Sequence, residues 1–215
     1  MRPKLELKLA EIDELLLEMG TLVEEQLNQA IIALTTHNLT LAEKVIQTDV
    51  KIDDLERTIE NKCLNTIALQ NPLAGDLRKL SAVMKIITDL ERIGDHCVNI
   101  AEIVVSIGSE AHFKPLLDLP KMANIVQEMV NSSLDSYVRK DVALATLTAQ
   151  RDDEVDELYI TIYKELLNYI HEDKTHMDQI ISLLFIGRFL ERIADHVTNV
   201  CEHSIFMING KRVSF

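Results

Sequence analysis

Apolar residues recur along this chain at helical spacing, most sharply in two stretches. Ile86, Leu90, Ile93, Cys97, Ile100 and Val104 alternate steps of four and three, and Ile186, Leu190, Ile193, Val197 and Val200 do the same. That rhythm lays a single apolar seam along a helix, suited to burial in a bundle. A shorter stripe of Ile52, Leu55 and Ile59 is matched by Val155, Leu158 and Ile162. Nowhere does the pattern alternate with period two, so strands are not expected.

Turn residues divide the pattern into six segments. His37-Asn38-Leu39-Thr40 ends the first, and Thr40 with Glu43 has the form of a capping box for the second. Asn71-Pro72 followed by Gly75 ends the second. Gly108-Ser109, with Pro115 and Pro120, separates the third from the fourth; Asp141 can cap the fifth, and His171 to Thr175 marks the last turn. The expected fold is all-α: six long helices in two tandem, duplicated three-helix bundles, residues 1–110 and 111–215.

The duplication reaches beyond the apolar seam. Asp89-Leu90-Glu91-Arg92-Ile93-Gly94-Asp95-His96 returns one hundred residues later as Phe189-Leu190-Glu191-Arg192-Ile193-Ala194-Asp195-His196, and Asn99 and Glu102 return as Asn199 and Glu202. A shared core would explain the apolar matches but not the polar ones. On a helix, Glu91 and Asp95 stack one above the other about 5–6 Å apart, and like charges there cost roughly 0.2–0.5 kcal/mol unless something compensates. The preceding helix of each unit supplies a second acid-x-x-x-Asp pair, Asp49/Asp53 and Asp152/Asp156. If antiparallel neighbours face these pairs together, each unit offers four carboxylates, a donor set for hard or intermediate cations such as Mg, Mn, Ca or iron. Arg92 and Arg192 can hold the carboxylates in place, with Asn99, Asn199, Glu102 and Glu202 extending the stripe. The plainer reading is a solvated acidic face, and it suits Asp152, Asp153, Glu154 and Asp156 best when these are taken alone. His96 and His196 project from another face and read as packing or capping residues; Cys97 reads as core.

Composition narrows the function classes. The 215 residues carry a formal net charge of −13, which argues against nucleic acid or anionic lipid as a partner and permits cations and basic surfaces. No apolar run approaches the roughly 20 residues of a membrane span, and the start lacks the apolar core of a signal peptide. Cys63, Cys97 and Cys201 are odd in number and scattered, unlike a disulfide framework or a zinc motif. A reducing cytoplasm is the expected compartment.

Three groups of residues carry a family resemblance: the doubled Leu-Glu-Arg-Ile-(Gly or Ala)-Asp-His motif, Asp49-x-x-x-Asp53, and Gln70-Asn71-Pro72-Leu73-Ala74-Gly75-Asp76-Leu77-Arg78. Together with Met19-Gly20 and Val23-Glu24, they resemble the PhoU family of phosphate-uptake regulators from end to end. The resemblance implies two three-helix bundles. It also implies multinuclear clusters of iron, manganese, magnesium or zinc held by Asp49, Asp53, Glu91 and Asp95 and by Asp152, Asp156, Glu191 and Asp195. It further implies a cytoplasmic homodimer that binds the ATP-binding subunit of the phosphate transporter and a phosphate-sensing histidine kinase, restraining uptake and starvation signalling. Two departures stand out: the Pro72–Arg78 turn has no partner near His171–Asp178, and Phe189 replaces Asp89.

An enzyme is the rival class. Di-iron bundles need Glu-x-x-His on paired helices, and the chain contains no such motif. It also lacks a phosphate-binding glycine loop and a nucleophile elbow. A metal-binding helical scaffold with no phosphate role is the other alternative.

Overall fold

Helix ends set the architecture. A computed structural model of the chain describes residues 2–172 and 175–215, so the expected turn at His171–Thr175 lies partly outside the described residues. The first helix, α1 (Arg2–Thr36), stops where His37 takes a left-handed φ of 52°. Asn38 then caps α2 (Leu39–Gln70), its side chain accepting from the Leu41 amide at 3.0 Å. The expected cap at Thr40 is therefore corrected: Thr40 already lies inside the helix, because the turn at His37 starts it two residues earlier. Left-handed Asn71 and the following Pro72 end α2. The third helix, α3 (Ala74–Ile107), closes on Gly108 at φ 73°, a conformation other residues adopt only with strain.

The second half follows the same plan with one variation. After α4 (Asp118–Arg139), Asp141 caps α5 (Val142–Ala149) as expected, accepting from the Ala143 and Leu144 amides at 2.9 and 3.0 Å. The fifth helix is broken at Gln150–Arg151, and α6 (Asp152–Glu172) restarts it. The last helix, α7 (Met177–Asn209), ends at Gly210. Among the described residues there is no strand, and no helix is long and apolar enough to cross a membrane.

The seams are where the apolar rhythm placed them. Ile86, Leu90, Ile93, Cys97, Ile100 and Val104 are buried, as are Ile186, Leu190, Ile193, Val197 and Val200. In the shorter stripes, Ile52, Ile59, Val155 and Ile162 are buried, while Leu55 and Leu158 pack against the core from its edge. Helix α3 is flanked by α1 and α2; α7 is flanked by α4, α5 and α6. The most extensive pairing is α3 against α7, with α1 touching α4 beside it. The two repeated motifs therefore sit on the two central helices, each facing its own unit's second helix on one side and the other motif helix on the other.

Candidate functional site

In the first unit, α2 brings Asp49, Asp53 and Glu56 against Glu91 and Asp95 of α3. The interactions among their charges show the grouping. Burial raises the Asp49 carboxyl above the usual range, and Asp53 and Asp95 push it further. Glu91 rises to about 7, chiefly through burial, then through Asp95, with Glu56 and Asp53 adding to it and Arg92 opposing. Arg92 straddles the α3 pair, with Nε 3.3 Å from Glu91 Oε2 and Nη1 2.8 Å from Asp95 Oδ2. Gln26 of α1, buried, donates to Asp49 Oδ1 at 3.0 Å and to the Val45 carbonyl at 3.3 Å. Gly94 makes this closeness possible: a Cβ there would stand 3.2 Å from both Asp49 Oδ1 and Gln26 Oε1.

The second unit repeats the group with different supports. Asp152, at the start of α6, rises to about 6 through burial and then through Asp195, Asp156 and Glu191. Asp156 and Glu191 are raised as well, each by burial first and Asp195 second. Arg188, three residues before Glu191, makes the ion pair with it. Arg192 makes no ion pair among the described residues, and its charge falls near His96 instead. Asp153 and Glu154 are exposed, while Asp152 is half-buried, so the acidic turn is solvated only in part.

The donor chemistry suits a cation. Four carboxylates in each group repel one another; Asp152 Oδ1 and Glu191 Oε2 are buried without a hydrogen bond, and Glu91 Oε2 has only the Arg92 ion pair, an arrangement costly to leave uncompensated. Hard oxygen donors of this kind match divalent and trivalent ions. As they stand, no three His, Cys, Asp or Glu side chains among the described residues lie close enough to enclose a metal ion. Arg92 and Arg188 hold the carboxylates in another arrangement.

Several candidate residues have other partners. Asn199 donates to Asp89 Oδ1 at 3.2 Å, and Glu202 accepts from the Phe215 amide at 3.0 Å, so neither joins the second acid group. Glu102 is exposed, and Asn99 makes no side-chain hydrogen bond among the described residues. The histidines pack between the units. His196 Nδ1 meets Asp89 Oδ1 at 2.9 Å and His203 Nε2 stands 3.5 Å from Asp89 Oδ2. At the related position, His96 stacks on Phe189 with ring centres 5.6 Å apart. Burial, then the His196 and Arg192 charges, lowers His96 to about 4. Asp89 is held below the usual range because the bonds from His196, His203 and Asn199 outweigh its burial.

Sequence reasoning missed Gln26, Glu56 and Arg188. Glu56 follows Asp53 by three and Arg188 precedes Glu191 by three, spacings that share a helical face. Gln26 is a polar residue within the apolar stripe of α1, and that signal could have found it.

Known proteins resemble the chain in sequence and in fold. The sequence model described as PhoU domain matches residues 16–104 and again 119–204. The phosphate-specific transport system accessory protein PhoU homolog of Clostridium acetobutylicum is 42% identical over 206 residues, covering 95% of this chain and 94% of its own. Its namesake in Aquifex aeolicus is 42% identical over 210 residues, covering 98% and 95%. The crystal structure of PhoU from Pseudomonas aeruginosa superposes with a TM-score of 0.93 at 34% identity, covering 96% of this chain and 99% of its own. The phosphate transport system regulatory protein PhoU from Streptococcus pneumoniae gives 0.91 at 28% identity, covering 98% and 100%. A match in each half, with relatives alike from end to end and the same fold at this identity, leaves one conclusion: the chain belongs to the PhoU family.

Proposed function

We propose that this protein is a cytoplasmic regulator of phosphate homeostasis that restrains high-affinity phosphate uptake and phosphate-starvation signalling. It acts by binding, not by catalysis, on the transporter's ATP-binding subunit and on a phosphate-sensing histidine kinase, as a homodimer. The observation that carries this reading is the similarity, over nearly the whole chain, to relatives named as phosphate-specific transport accessory proteins. The strong acidity of the surface supports a basic partner face, with encounter fast and salt-sensitive because exposed charges are screened beyond about 8 Å at physiological ionic strength.

The acid groups would hold metal ions: Asp49, Asp53, Glu91 and Asp95 in one unit, Asp152, Asp156, Glu191 and Asp195 in the other. A bound cation would supply the positive charge that the clustered carboxylates lack. Arg92 and Arg188 occupy that electrostatic role as the side chains lie, and would move aside on loading. The two sites differ in their supports, so they need not load alike.

Phosphate uptake in a deletion strain tests the regulatory reading. Uptake that stays high in rich phosphate is the expected result; normal shut-off, with no second copy of the gene, leaves only a metal-binding scaffold. Elemental analysis of protein purified without chelator tests the metal. Glu91→Ala with Asp95→Ala should remove one site's metal and leave the helical signal intact; metal retained in full by that variant would refute the assignment.

A further inference from the structure

A second polar site lies away from the acid groups, where α3, α7 and the segment after α7 meet. There Ser81, Lys85, Glu202, His203, Phe206 and Arg212 line a cavity of about 150 Å³. Ser81 and Lys85 are four residues apart on α3 and share a face; Glu202, His203 and Phe206 come from α7. Arg212 is placed by its guanidinium lying over the Phe206 ring, 5.6 Å from the centroid. The segment carrying it folds back along α7, where the Phe215 amide donates to Glu202 Oε1 at 3.0 Å.

The charge here runs against the rest of the molecule. In a chain of formal charge −13, two cations converge on one cavity, and neither Lys85 nor Arg212 has an ion-pair partner among the described residues. Glu202 is the one carboxylate in the lining, and one of its oxygens is already engaged by a backbone amide. Two fixed positive charges repel metal ions, and an apolar ligand would leave both desolvated and unpaired. A serine hydroxyl and an imidazole complete a set of hydrogen-bond groups suited to oxygen acceptors. The cavity of about 150 Å³ leaves room for a small oxyanion together with some of its water.

We infer that this cavity binds a small tetrahedral oxyanion through Lys85, Arg212, Ser81 and His203. The oxyanion class rests on the lining residues; that the physiological ligand is phosphate rests on the regulatory reading above. His203 also stands 3.5 Å from Asp89 Oδ2, so an anion drawn to its ring is read directly at the buried contact between the two halves.

The test titrates inorganic phosphate, and sulfate in a parallel arm, into full-length metal-free protein followed by amide NMR. Saturable shifts confined to residues around 81–85, 202–206 and 212 are expected, with millimolar or tighter affinity. Lys85→Gln and Arg212→Gln, both exposed and so harmless to the fold, should each weaken binding roughly tenfold. Lys121→Gln, an equal loss of charge elsewhere, should not. Absence of saturable shifts, or shifts that survive both variants unchanged, overturns the site. Equal response to sulfate supports the oxyanion site while striking out phosphate as its particular ligand. Uptake in the deletion strain is measured separately, so either reading can fail alone.

Discussion

At the scale of single residues, the acid groups are arranged against their own charge. Glu91 rises from 4.5 to about 7 and Asp152 from 3.8 to about 6. A carboxyl raised in the folded state binds more protons folded than unfolded, so these two groups subtract stability as pH rises through roughly 4 to 7. His96, lowered from 6.5 to about 4, works the other way over much of the same window, because its charging on acidification favours the unfolded chain. The whole-protein curve is thus a composite, and differences between variants separate it. In metal-free protein, Glu91→Gln and Asp152→Asn should each match wild type in melting temperature near pH 4 and exceed it at pH 7.5. An equal offset at both values would show that burial of charge is not the cause. Added divalent metal should raise wild-type melting more at pH 7.5 than at pH 5, where Glu91 and Asp152 are largely protonated and compete for the same oxygens. The stacking of the acids in pairs was legible in the sequence because a helix sets residues four apart on one face. The repeated motif points to Arg192, whereas Arg188, three residues before Glu191 and on the same face, makes the ion pair.

The scale of elements turns on where helices start and stop. Asn38, two residues ahead of the expected Thr40, accepts from the Leu41 amide in the first turn of α2. Asn38→Ala should therefore cost about 1 kcal/mol in denaturant unfolding, and Thr40→Ala only a few tenths. The reverse order would restore the capping box that the sequence suggested. The break at Gln150–Arg151 puts Asp152 in the first turn of α6, where the free amides of a helix start favour a carboxylate. This partly offsets the crowding that raises its pKa. Arg151, in the break, pairs with Glu128 of α4 at 2.9 Å. Nothing in the sequence announced it, since no Gly or Pro lies there. The long apolar rhythms, by contrast, marked the buried faces of α3 and α7, because a seam repeated over five or six positions has only one helical face to occupy.

For the whole molecule, the division into residues 1–110 and 111–215 is our proposal; the pairing of α3 with α7 joins the two units along their length. Asp89 sits in that seam with three partners from the second unit, and no local pattern could reveal a contact made 107 residues away. The sequence showed only that Phe189 stands where symmetry would place another acid. Asp89→Ala should cost about 1–3 kcal/mol at pH 7, by leaving His196, His203 and Asn199 without their acceptor. Because Asp89 is held below its ordinary pKa, its contribution is complete above about pH 4 and is lost on further acidification. The penalty of the variant should accordingly shrink as pH falls below about 4. A penalty that stays constant on that acidification would assign the loss to packing alone.

That off-centre acid also gives the pairing a direction. At the position of His203, one hundred residues earlier, the first unit carries Ile103. A first unit joined to a copy of itself would bury two such acids, each short of one imidazole. A second unit joined to its own copy would leave its histidines facing a phenylalanine. Each half is thus the mould of the other and a poor cast of itself, two like folds made into unlike parts.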